Sequence, residues 1–193
     1  MSSGAGKDEI RELTESIARE LAVMVTESPW ATRFVWAAIL HGALAAVLTA
    51  FAILGTLGLF QPSPVDVIVS SSVGILLISG YLSYLLVGIV GMAVTALFYQ
   101  YLEVNLKAPY ESADRNIAWG HLILSNIGVI GATWLTIFGA YAAAVGSSVV
   151  NQRSTFAQFE FPIVLFIAIF LIGTLLGGLG YIRVYGKRRK KTS

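Results

Sequence analysis

Few side chains in this sequence are equipped for chemistry, and its two histidines, His41 and His121, come first. Imidazole titrates near neutrality and binds metals, so it can move protons or ligate iron, zinc or copper. Around both histidines the sequence is apolar, and no Asp, Glu, Lys or Arg falls within the long apolar stretches. Proton relays and ion-coupled carriers are expected to hold such charges inside the membrane, so neither is expected here. The chain has no cysteine, which excludes disulfides, thiolate nucleophiles and iron–sulfur ligation. Walker, HExxH, GxSxG and EF-hand patterns are missing too, and the loops are too short for a separate catalytic domain.

His41 falls about seven residues into the first apolar stretch and His121 about five into the third, so at 1.5 Å per residue both are expected roughly 7–11 Å deep from one face. Two readings follow. Each imidazole can hydrogen-bond a neighbouring helix, or the pair can sandwich the iron of a haem b, as histidines in bundle cores do. A mononuclear zinc or copper site would want further ligands that are not offered. Asn126, also within the third stretch, reads as an interhelical hydrogen-bonding residue. Tyr81, Tyr84 and Tyr141 read as packing or interface residues.

The stretch that must position this chemistry is NIAWGHLILSNIGVIGATWLTIFGAYAAAVGSS, residues 116–148, uncharged and longer than the roughly 20 residues that span a bilayer. Gly128, Ala132, Thr136, Ala140, Ala144 and Ser148 recur every four residues and line one helix face. In lipid, close backbone approach over small residues drives helix association, so this face is built for packing. Gly173 and Gly177 form a GxxxG on the fourth apolar stretch with the same meaning.

Four apolar stretches are legible: Phe34–Phe60, Val67 to about Tyr101, 116–148, and Phe161 to about Ile182. The second is overlong as one helix and must tilt, kink or project. QPSP at 61–64 reads as a tight turn, and Trp30 and Trp36 as interfacial anchors. The fold class is an all-α membrane protein, a four-transmembrane-helix up-down-up-down bundle with short loops. Its expected divisions are an amphipathic N-terminal arm (1–28), the membrane domain (29–186) and a basic tail (187–193). In the arm, Ile10, Leu13, Ile17 and Leu21 form an apolar stripe opposite an acidic face. The arm reads either as a helix lying on the lipid surface or as a cytoplasmic partner-docking helix, and since helices on lipid are usually basic the acidic face favours the second. Secretory-signal and lipidation patterns are not seen.

With both termini inside, twelve basic residues, from Lys7 to Lys191, fall on the cytoplasmic side and only Arg153 outside. That asymmetry gives the orientation. A multi-pass protein of a prokaryotic cytoplasmic membrane is expected, in contact with membrane lipid and not with nucleic acid. The KRRKK run fixes topology, with anionic lipid or an acidic partner as further readings.

The segment Trp119-Gly120-His121-Leu122-Ile123-Leu124-Ser125-Asn126-Ile127-Gly128 resembles histidine-bearing helices in subunit I of haem-copper terminal oxidases, over about a tenth of the chain. Four spans in place of about a dozen, and no histidine cluster for copper, rule out a catalytic subunit I. The resemblance implies a small membrane subunit of a respiratory-type complex. Three functions are therefore expected in order: a non-catalytic accessory subunit of a respiratory oxidase or membrane monooxygenase, bound to other integral membrane subunits or to a second copy; a haem b anchor passing electrons to or from quinone through His41 and His121; and a small channel or carrier.

Overall fold

The computed structural model describes residue 14 and residues 28–192, with side chains up to residue 188. The expected amphipathic helix at 7–25 therefore lies outside the described residues but for Thr14, as do the side chains of the tail beyond Arg188. The described residues fold into helices with no strand: α1 (Pro29–Thr56), α2 (Pro64–Ser70), α3 (Gly74–Asn105), α4 (Ser112–Gly146), α5 (Gln152–Ala157) and α6 (Glu160–Thr192). Four of them, α1, α3, α4 and α6, are long and apolar enough to cross a membrane.

Local chemistry explains the boundaries. Helix α1 starts at Pro29, before the expected Phe34, because Ser28 caps it: its hydroxyl accepts from the Ala31 N–H at 3.0 Å, and proline suits the first helical turn. Past α1 the chain turns through Gly58, whose φ of +83° favours glycine, and enters α2 through a capping box. In that box the Ser63 hydroxyl accepts from the Asp66 N–H at 3.1 Å while the Asp66 carboxylate accepts from the Ser63 N–H at 2.9 Å.

The second apolar stretch is not one helix from Val67 to Tyr101. It breaks at Ser71, which is extended (φ −103°, ψ 153°), and resumes at Gly74. A Cβ on Gly74 would lie 2.5 Å from the carbonyl oxygens of Val67 and Ile68, so only glycine lets the chain fold back over the end of α2. Helix α3 then carries two π-helical segments, Tyr84–Gly91 and Tyr101–Asn105. Such segments widen the helix locally and concentrate at functional sites.

Each long helix packs chiefly on its neighbour in sequence: α1 on α3, α3 on α4, and α4 on α6, the last pair having the most extensive interface. Among the described residues α1 and α6 do not touch, so the ring expected of a four-helix bundle is left open. The physical reason is that the small-residue faces of α4 and α6 pull those two helices together. The start of α1, the end of α3, the start of α4 and the end of α6 lie at one end of the molecule, joined by Ser28 to Glu103 and by Asp114 to Lys187. Ser72 to Gln152 and Tyr141 to Pro62 join the elements of the other end.

Trp30 is not an exposed anchor. It is buried against Tyr99, Tyr110 and Trp119, and Arg33 lies over its ring at 4.3 Å, whereas Trp36 is 66% exposed. Helix α6 runs on through Thr192, so the basic tail continues the helix.

Candidate functional site

Helix α3 supplies a tyrosine to each histidine. Tyr84 lies 2.9 Å from Nδ1 of His41, on α1, and Tyr99 lies 3.1 Å from Nδ1 of His121, on α4. Each imidazole also rests on a glycine of another helix. A Cβ on Gly88 would come 3.1 Å from Nδ1 of His41, and one on Gly177 would overlap the His121 ring. Both rings are thereby held between an aromatic hydroxyl and bare backbone.

Their Nε2 atoms differ. In His41 it meets Oδ1 of Asn126 at 2.9 Å, while the Asn126 amide donates to the Leu122 carbonyl at 2.6 Å. This fixes the roles: Asn126 accepts, so His41 carries its proton on Nε2 and takes the Tyr84 hydroxyl proton at Nδ1. Asn126 thus joins α4 to α1. Nε2 of His121 has no hydrogen-bond partner among the described residues, and His121 lines a groove between α3 and α6.

The expected match in depth does not hold. Phe34 packs on the His121 ring (centroids 5.0 Å apart), whereas His41, seven residues further along α1, meets Asn126, five residues further along α4. At 1.5 Å per residue the imidazoles stand about 7–10 Å apart along the helix axes. A bis-histidine haem needs one free ring nitrogen on each residue, facing across one macrocycle. Both nitrogens of His41 are already taken, and the two imidazoles stand at different levels, so these residues as arranged do not fit the group. Among the described residues no cluster of three or more His, Asp or Glu could hold a metal ion.

The small-residue face is divided between two helices. Gly128 meets α6, where a Cβ would be 2.5 Å from the Phe170 backbone nitrogen. Thr136 meets α3 at Gly80, and Ala132 lines the crevice between α3 and α6. Ala140 is fully buried and Ala144 packs at the edge of the same core. Gly173 sits on Ser125, with a Cβ there only 2.7 Å from the Ser125 backbone nitrogen, and Gly177 sits on His121. The two glycine faces therefore satisfy each other inside one chain.

At the end that gathers both chain termini of the described bundle, Asp114 is 1% exposed and takes Arg183 Nε at 2.8 Å and the Lys187 ammonium. Glu103 accepts from the Ser28 hydroxyl and from the Trp30 N–H, the latter at 3.3 Å, so it supports the start of α1. Burial, aided by the nearby Tyr99 and Glu103, pushes the Tyr110 phenol up, so it stays neutral. Neither Asp114 nor Glu103 was singled out by the sequence, where they read as loop acids; their roles depend on helices 73 to 75 residues away.

Compared with known protein families, curated proteins and solved structures, the chain matches none.

Proposed function

We propose that this chain is a non-catalytic membrane subunit that assembles with other integral membrane subunits, of the kind found in respiratory oxidases or membrane monooxygenases, with both termini cytoplasmic. The observation that carries the reading is the one-sided attachment of α6. Only 11% of its apolar window is buried, its packing is chiefly on α4, and the place beside α1 that would close a four-helix ring is open. On α1 itself, Gly42 has nothing within 4 Å of where a side chain would begin. A bare glycine on an apolar helix admits another backbone at close range, which is how helices associate in lipid. The orientation rests on the distribution of basic residues, twelve of thirteen falling inside.

The test is blue-native electrophoresis after extraction from the native membrane in mild detergent. The wild type is expected in a defined complex larger than one chain, and Gly42→Leu is expected to release it. A wild type that migrates as a single stable chain overturns the reading. Orientation is checked separately with cysteines at the exposed positions Asn151 and Glu111. Labelling of Glu111→Cys before the inner face is opened would reverse the topology.

A further inference from the structure

The end of the bundle that holds Asp114 carries a surplus of positive charge. Among the described residues Arg33, Lys107, Arg115, Arg183, Lys187 and Arg188 stand there with three carboxylates, two of which are engaged. Glu103 supports the start of α1, and Asp114 takes Arg183 and Lys187. The third, Glu111, is exposed on the rim of a pocket of about 220 Å³ between the α3–α4 loop and the end of α6. Lys107, Lys187 and Arg188 share that rim, and the buried Ala108 and Val184 give the pocket an apolar floor.

Lys107 occupies a position that the backbone would give to glycine. Its φ is +49°, in the left-handed region, at the turn that closes α3. There the Leu106 N–H donates to the Tyr101 carbonyl at 2.9 Å and the Ala108 N–H to the Leu102 carbonyl at 3.0 Å. Glycine is the usual residue at such a helix end, and strained positions of other residues concentrate where a side chain has a task. A charge that only fixed topology could sit anywhere in the loop. Among the described residues no carboxylate pairs with Lys107.

A segment of the chain itself has the complementary charge. Residues 7–27, outside the described residues, carry Asp8, Glu9, Glu12, Glu15, Glu20 and Glu27 against Lys7, Arg11 and Arg19. They lead into Ser28, whose hydroxyl donates to Glu103, four residues before Lys107, while Trp30 packs on Tyr110, next to Pro109. Ser28 is extended (φ −76°, ψ 115°) and precedes a proline, so the chain turns there instead of prolonging α1. The arm is tethered beside the pocket, and tethering raises the effective concentration of a weak contact.

The spacing of the acids fits as well. Glu9, Glu20 and Glu27 are eleven and seven residues apart, close to three and two helical turns, so on a helix they share one line. That line runs along one edge of the Ile10, Leu13, Ile17 and Leu21 stripe. An apolar stripe edged with acids matches an apolar floor edged with cations. At 1.5 Å per residue Glu20 would stand about 12 Å from Ser28, little more than one spacing between packed helices. We propose that residues 7–27 dock on the basic end of their own chain, the stripe over Ala108 and Val184 and the acidic edge on Lys107 and its neighbours. The contact lies within one chain and does not depend on the subunit reading.

The experiment uses the full chain in phosphatidylcholine nanodiscs, whose lipid has no net charge. With no native cysteine, spin labels go only to Ala18→Cys in the arm and Ser112→Cys at the exposed start of α4. Pulsed EPR is expected to give one narrow distance. Lys107→Gly removes the charge where the backbone suits glycine, so the fold is retained; the narrow fraction should fall at least threefold. Replacing Glu9, Glu20 and Glu27 together with Gln should do the same. Replacing Asp8, Glu12 and Glu15, on the face opposite the stripe, should leave the distance in place. In the unlabelled chain, a zero-length carbodiimide should join arm carboxylates to Lys107 within one chain. A narrow fraction that survives both Lys107→Gly and the first triple variant overturns the proposal. Equal losses from the two triple variants overturn the assigned face. Carbodiimide links found only between two chains, or a narrow distance that appears only when phosphatidylglycerol is added, overturn docking within the chain.

Discussion

Nε2 of His41 lies 2.9 Å from Oδ1 of Asn126, and this contact joins the first long helix to the third, whose direct packing is otherwise sparse. Tyr84 completes it from α3 at 2.9 Å, so one imidazole ties three helices together. Asn126→Leu would leave the buried Nε2–H of His41 unpaired. The expected loss is about 1–2 kcal/mol, the upper range of interhelical hydrogen bonds in membranes, measured by unfolding in mixed micelles. Tyr84→Phe should add little on top of it if the three groups act as one unit.

Close packing of α4 on α6 gives a second, graded expectation. Gly128→Ala drives a methyl into the Phe170 backbone and should cost about 1–3 kcal/mol. Ala140→Leu, at a fully buried position, should cost a similar amount. Gly186→Ala, with nothing within 4 Å, should be neutral or slightly stabilising. The same unfolding measurement ranks all three, and equal effects at Gly128 and Gly186 would contradict the packing described.

The Asp114 cluster should respond asymmetrically. Arg183 and Lys187 are about half exposed, so in Asp114→Asn they return to water at modest cost, about 1 kcal/mol. Replacing both Arg183 and Lys187 with Gln takes from the buried carboxylate the two cations it meets among the described residues, and such losses run to about 3–5 kcal/mol. A double variant no less stable than Asp114→Asn would show that the carboxylate finds other partners.

The turn before α2 carries a pH signature. The Ser63 hydroxyl and N–H both donate to Asp66, at 2.7 and 2.9 Å, and hold its carboxyl below the ordinary 3.8. A depressed pKa means that the ionised form favours the capped turn. Its contribution is present above the unfolded-state value and is lost as pH falls through the folded-state value. Carboxyl carbon NMR should place the Asp66 midpoint below 3.8, and Ser63→Ala should move it up towards that value.

Much of this architecture is legible in the residues alone, and the illegible parts share a cause. The four apolar stretches announce themselves by length, and the small-residue face of α4 by its spacing. Asn126 was readable as an interhelical group because an amide in lipid needs a partner. The partners were not readable: Tyr84 is 43 residues from His41 and Tyr99 is 22 from His121, and nothing local says that α3 reaches both. Trp30 looks like an anchor because it is aromatic and near a helix end, and only the assembled Tyr99, Tyr110 and Trp119 bury it. The break at Ser71–Gly74 did leave a signal, three serines at 70–72 with Gly74 just beyond Val73, which hydropathy overrides.

The neighbour-on-neighbour order of packing, with α1 and α6 apart, has a meaning for biogenesis. A ring that closes its last helix on its first must hold the first exposed until synthesis ends. Here each long helix meets its main partner in the long helix made just before it, so docking can keep pace with translation. The zippering of α6 onto α4 follows, and the ion pairs of Asp114 with Arg183 and Lys187 latch it once the end of α6 has been made.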